Sequence, residues 1–306
     1  MSRPFRWDVR QREQLGGLVA DGRELPEHMD ELRLACARVV ARAGDAELVF
    51  VGRSLENMFD YLGGVLAATA WAERPRLLSI SLWSTKVEDL SPEQIAGFRE
   101  HARVVGIDPA AIAERAQATA FIDVVASGGT MGGIMTLLLR WAADEGVDVR
   151  KLRDRLRFVG LTRRTKTSPN TWRWHQHAEW AQELPPSAFK NVSMPPGVWS
   201  LLADRQPKVS RRNPPSDWPP DHEPRATHDR EQLEARVDGV FTFASLVAAA
   251  FAPRARAGQA PQLLVVETPS GLRQVAIVDG APVFSRLALL QNATEFDYAA
   301  ACAETQ

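Results

Sequence analysis

The sequence predicts an α/β protein: a mostly parallel sheet with helices on both faces. Three observations predict it. Short apolar runs recur along the first half of the chain, in "ELVFVGRS", "RLLSISLW", "FIDVV" and "LRFVGLT". Segments with apolar residues at helical spacing separate consecutive runs. The run Leu48 to Val51 is all apolar, so it suits a strand buried on both faces. Strands joined through helices run parallel, because a crossover returns the chain to the same end of the sheet.

Taken in order, "PEHMDELRLACARVVARAG" places Met29, Leu32, Cys36, Val39 and Val40 on one helical face, with acids in its first turn and Gly44 as its stop. The run at 48–51 is the first strand, broken at Gly52, with Ser54 expected to cap the next helix. That helix turns Leu55, Met58, Phe59, Leu62 and Leu66 inward. "RLLSISLW" is the second strand. A helix follows with Ser91 as cap and Pro92 at its first position, and a further helix starts at Pro109. "FIDVV" is the third strand and leads through glycines into "TMGGIMTLLLRWAADEG", a helix that stops near Gly146. "LRFVGLT", at 156–162, is the fourth strand.

From 168 to about 227 prolines are dense, tryptophans recur and periodicity is lost, which reads as an irregular cap or lid over the sheet. The last segment carries a helix in "GVFTFASLVAAAFA" and two strands, "QLLVVET" and "RQVAIVDG", about a turn at 269–271. The expected organisation is an N-terminal helical segment over 1–46, a core over 47–167, the Pro/Trp-rich cap over 168–230 and a small C-terminal α/β unit over 231–306.

The 306 residues are 45% hydrophobic and 25% charged, enough for a sizeable core. A formal charge of −1 provides no global field to recruit nucleic acid or an anionic membrane. Cys36 and Cys302 stand in no metal-ligand or C-x-x-C spacing, which fits a reducing cytoplasm. No apolar tract approaches the ~18 residues of a membrane span, and the N-terminus has no signal-peptide pattern.

The chemistry concentrates in "FIDVVASGGTMGG". Gly128 and Gly129 allow close backbone approach, the following helix directs its N–H groups at the turn, and Ser127 and Thr130 add hydroxyls. An anion suits such a turn. Asp123, at the strand's end, is placed to accept from sugar hydroxyls or to reach a Mg²⁺ ion beside a phosphate. The spacing is neither G-x-G-x-x-G nor G-x-x-x-x-G-K-[ST]. The bland alternative is a tight turn whose glycines serve packing.

An apolar strand, an acid, and S-G-G-T opening a helix together resemble the 5-phosphoribosyl 1-pyrophosphate (PRPP) motif of the type I phosphoribosyltransferases. The resemblance covers roughly 48–162 and implies a sheet of phosphoribosyltransferase type. It implies that Ser127, Gly128, Gly129 and Thr130 bind the 5′-phosphate and that Asp123 holds ribose hydroxyls and Mg²⁺. It further implies pyrophosphate binding at the turn after the first strand by Gly52, Arg53 and Ser54. Lys86, with Arg76 as a weaker candidate, would bring a cation to that pyrophosphate. Two positions depart from the family pattern: Ile122 replaces the first of two acids, and Ala126 replaces the acid often found before S-G-G-T. A homodimer is common in that family.

The stretch 151–177 holds Lys151, Arg153, Arg155, Arg157, Arg163, Arg164, Lys166 and Arg173 against Asp154 alone. It is open to three readings: cations beside the ligand cleft, a solvated helix face, or a nucleic-acid surface, in that order of preference. His175, His177 and Glu179 do not carry a metal-site spacing. Trp199 is the tryptophan to test first for stacking on a planar acceptor. The expected activity is transfer of ribose 5-phosphate from PRPP to a nitrogen of a small planar acceptor, with Mg²⁺. The alternative is a non-catalytic module that senses PRPP or a nucleotide on the same fold.

Overall fold

The computed structural model describes residues 29–66, 71–165, 173–205 and 212–220, and the strands at 263–268, 271–278 and 281–286. The helix expected in "GVFTFASLVAAAFA", the N-terminal segment before Met29, Lys166 and Cys302 lie outside them.

The chain runs through α1 (Met29–Ala43), β1 (Glu47–Val51), α2 (Glu56–Leu66), β2 (Pro75–Leu78), α3 (Pro92–Val105), α4 (Pro109–Glu114) and β3 (Thr119–Val124). It continues through α5 (Gly129–Asp144), α6 (Val149–Arg155), β4 (Leu156–Arg163), β5 (Phe189–Met194) and α7 (Pro196–Ser200). The five strands form one sheet in the order β2-β1-β3-β4-β5, with every neighbouring pair parallel. This is an α/β fold with flanking helices. Among the described residues no helix is long and apolar enough to cross a membrane.

Local chemistry sets the helix ends. Ser91 and Gln94 form a reciprocal capping box on α3, with Pro92 at its first position and left-handed Gly106 at its end. The side chains of Asp108 and Asp148 accept N–H bonds in the first turns of α4 and α6. The period-2 alternation of the strands then divides the core. Val49, Phe121, Val125 and Phe158 face α3–α6, whereas Leu48, Phe50, Ile122, Val159 and Leu161 face α1 and α2.

Three elements differ from the sequence reading. The strand expected through Trp83 ends at Leu78, where the Ile80 N–H turns back to the Leu78 carbonyl at 3.0 Å and the Ser79 N–H donates to His101 Nε2 at 3.2 Å. The region expected to be wholly irregular supplies a fifth strand, β5, pairing Phe158–Arg163 with Phe189–Met194. Its polar Lys190, Asn191 and Ser193 interleave with the buried positions, as an edge strand permits. The C-terminal pair of strands is instead a three-stranded antiparallel sheet, β6 (Leu263–Thr268), β7 (Gly271–Val278) and β8 (Ala281–Arg286).

Candidate functional site

In the order 2-1-3-4-5 the chain builds outward from β1 to β2, then crosses back to β3. The loops leaving β1 and β3 therefore diverge to opposite faces and open a crevice at the carboxyl ends of these strands. Both turns singled out in the sequence border this crevice.

After β1, Gly52 has φ 64 and donates its N–H to the Leu78 carbonyl at 2.8 Å. A Cβ there would lie 3.1 Å from the Ile80 carbonyl oxygen. Arg53 follows, half-buried, and burial lowers its guanidinium pKa; Glu56 partly offsets this and Arg212 adds to it. Ser54 lies in the turn that precedes α2, where the Glu56 N–H reaches back to the Arg53 carbonyl.

After β3, Asp123 is 8% exposed and its Oδ1 accepts the Val124 N–H at 2.7 Å. Ala126 and Ser127 are exposed, Gly128 has φ 85, and α5 begins at Gly129 with no side chain capping it. The structure thus brings Ser127, Gly128, Gly129 and Thr130 together at the positive end of a 16-residue helix. Ile122 points to the opposite face from Asp123 and is fully buried among apolar residues.

Gly128 has a second reason to be glycine. A Cβ there would come within 2.5 Å of the Trp174 ring, and one at Gly160, the β4 residue paired with Asp123, within 2.4 Å of Trp174 Nε1. Trp174 is fully buried, donates Nε1–H to Asn191 Oδ1 at 2.9 Å, and packs with Trp180 and Phe189. Gly132 admits Trp180 from the cap, and Gly133 admits Leu82 from the loop after β2.

The remaining candidates separate. Lys86 is exposed on the loop after β2, ahead of a short turn at Val87–Asp89. Arg76 is structural: it pairs with Glu47 at 3.0 Å and donates to the Val105 carbonyl at 2.8 Å. The basic stretch divides, too. Lys151 and Arg153 pair with Glu114 and Glu183, and Arg155 and Arg157 bond backbone carbonyls. Arg163 and Arg164, at the carboxyl end of β4, have no carboxylate partner among the described residues. Trp199 ties its indole N–H to the Leu161 carbonyl at 3.0 Å, an anchoring contact at the end of β4. Among the described residues no group of three or more His, Cys, Asp or Glu is arranged to hold a metal ion. Burial pushes the Cys36 thiol up, and the residue is part of the core.

Sequence reasoning missed Arg212 and Asn213. Asn213 holds the Ser79–Ser81 backbone beside β2, with its carbonyl accepting the Ser81 N–H at 2.8 Å and its amide donating to the Ser79 carbonyl at 3.1 Å. Their one sequence signal is the polar "RRN" before a proline run, which is common in loops. No family model, curated protein or solved structure matches the chain.

Proposed function

We propose that this chain is a phosphoribosyltransferase-like protein that transfers ribose 5-phosphate from PRPP to a nitrogen of a small planar acceptor. The observation that carries the reading is topological. Two glycine turns with anion-binding chemistry, Gly52–Ser54 and Ser127–Thr130, flank the β1/β3 switch point, with Asp123 at the end of β3 between them.

In this reading the N–H groups at the start of α5 and the hydroxyls of Ser127 and Thr130 hold the 5′-phosphate. Asp123 orients the ribose hydroxyls. Gly52, Arg53 and Ser54 take the pyrophosphate, and Lys86 adds a cation to it. A single carboxylate suits Mg²⁺ that arrives largely coordinated by substrate phosphates, since that ion is commonly bound through one or two carboxylates and substrate oxygens. When bound, it would neutralise charge on the departing pyrophosphate. The protein's own share is positioning of both phosphate ends and electrostatic stabilisation.

One observation favours the non-catalytic alternative. Ile122, buried on the far face, supplies no second carboxylate, and Ala126 supplies no base. Incubation with PRPP, Mg²⁺ and a panel of nucleobases decides: pyrophosphate release supports transfer, PRPP binding without turnover supports sensing, and absence of PRPP binding by calorimetry overturns both. Asp123→Asn should retain the fold and weaken PRPP–Mg²⁺ binding about tenfold or more, the scale of a lost charged hydrogen bond. Unchanged binding would remove Asp123 from the site.

A further inference from the structure

The loop after β2 lies against both glycine turns. On one side, a Cβ at Gly52 would stand 3.1 Å from the Ile80 carbonyl oxygen. On the other, a Cβ at Gly133, one helical turn past the start of α5, would meet Leu82 at 2.9 Å and Val87 at 3.5 Å. Glu88 pairs with Arg140 of α5 at 3.3 Å. Asn213 accepts the Ser81 N–H at 2.8 Å and donates to the Ser79 carbonyl and Oγ at 3.1 and 2.9 Å. The loop is thus braced at its base, and its tip at 83–86 stands at the rim of the crevice between the two turns.

The tip carries a residue that its own turn does not call for. The Thr85 N–H donates to the Leu82 carbonyl at 3.1 Å, which closes a β-turn with Trp83 and Ser84 at its two corners. Ser84 has φ 58, at a corner that such turns commonly give to glycine, and Trp83 takes the corner at which proline is favoured. Trp83 is 73% exposed, the one large hydrophobic side chain so exposed among the described residues. A buried indole such as that of Trp174 is explained by the space it fills; this one fills none. The Arg212 guanidinium lies over the Trp83 ring, 5.5 Å from its centroid, with Nε 3.4 Å from Ser81 Oγ. The cation backs one face of the indole, and the exposure that remains leaves the other face open.

We propose that Trp83 is a stacking surface for a planar heterocycle of nucleobase type at the rim of the crevice. The ring lies on the open face of the indole, opposite Arg212. Because the turn beneath Trp83 is already braced, little freedom is lost when the ring docks. Stacking between flat π faces tolerates ring identity, so Trp83 selects for planarity and leaves the choice among rings to other groups. This deepens the transferase reading above and rests on it for the ring's role as acceptor. Trp83 then takes the part expected of Trp199, whose indole N–H is tied to the Leu161 carbonyl.

The test is calorimetry on the full chain with adenine and with uracil, first without PRPP and then with PRPP and Mg²⁺. At least one of the two rings should bind. Trp83→Ala should weaken that binding about tenfold, and Trp83→Phe, which keeps a flat π face, should stay within about threefold of the parent. Both variants should unfold at the parent's denaturant midpoint, since the side chain is exposed. The proposal is overturned if neither ring binds under either condition, if Trp83→Ala binds as the parent does, or if Trp83→Phe loses as much as Trp83→Ala. A lowered midpoint in Trp83→Ala would make the indole structural, and a dimer that this variant turns into a monomer on sedimentation would make it a contact between copies; either result also overturns the proposal. Ring binding that depends on Trp83 in a parent that fails to bind PRPP counts against the transferase reading alone.

Discussion

The two turns that border the crevice occupy equivalent places at the carboxyl ends of β1 and β3, yet different forces hold them. The turn after β3 is fixed by ring packing: Trp174 fills the space left by Gly128 and Gly160 and is itself pinned by Asn191. The turn after β1 is held by a polar contact, the Gly52 N–H on the Leu78 carbonyl, and carries a half-buried Arg53 whose charge Glu56 favours. The difference is one of rigidity. Aromatic packing is short-range and insensitive to salt, so it presets a phosphate seat; a charge-held turn responds to the charge of what binds there.

The largest expected effect tests the packed side. Trp174→Ala removes a fully buried indole and leaves Asn191 Oδ1 without its donor, so it should cost about 3–5 kcal/mol in denaturant unfolding. A loss below ~1 kcal/mol would mean that the ring does not hold the turn, and the contrast between the turns would collapse.

A smaller pair of substitutions separates packing from ligand contact within one turn. Gly128→Ala meets both a positive φ and the Trp174 ring, and should destabilise by about 1–3 kcal/mol. Gly129→Ala has room, since the nearest atom to its Cβ is Ser127 Oγ at 3.8 Å, and alanine favours the helix. Its stability should match the parent's, whereas its PRPP affinity should fall, because the added methyl stands where the backbone must approach phosphate. Equal PRPP affinity in a stable Gly129→Ala would leave packing as the only reason for these glycines.

The parts of the fold legible in the sequence were those that local pattern determines. The apolar runs at β1, β3 and β4 announced buried strands, and Ser91–Pro92 announced α3 down to its cap. The 127–130 turn was placed correctly because strand, turn and helix are contiguous in the chain. The failures were non-local. β2 stops at Leu78 because His101 and Asn213, remote in sequence, take up the backbone beyond it. β5 was hidden because an edge strand needs only half its residues buried, so "FKNVSM" lacks an apolar run. The packing role of Gly128 and Gly160 depended on an indole contributed from the cap, and no spacing rule connects them.

The smallest effect concerns His175, on the packed side. His175 stacks on Phe189 at 5.2 Å between centroids, and burial, aided by Arg173, lowers its pKa from the ordinary 6.5. Its buried Nδ1 has no hydrogen-bond partner, so a second N–H there would be unsatisfied. The folded state therefore prefers the neutral ring, and the unfolded chain binds the proton more readily. This contribution is fully present above the unfolded value, and it is lost as pH falls from about 6.5 through the lower folded value. His175→Phe keeps an aromatic stack and removes the titration. Between pH 7.5 and 5 the parent should lose more thermal stability than His175→Phe, by a small margin because the imidazole is only partly buried. The two proteins differ only at this ring, so the comparison isolates it. A parent and variant that lose stability equally would show that protons do not reach the packed turn through His175, and that its hold on β3 is as indifferent to pH as to salt.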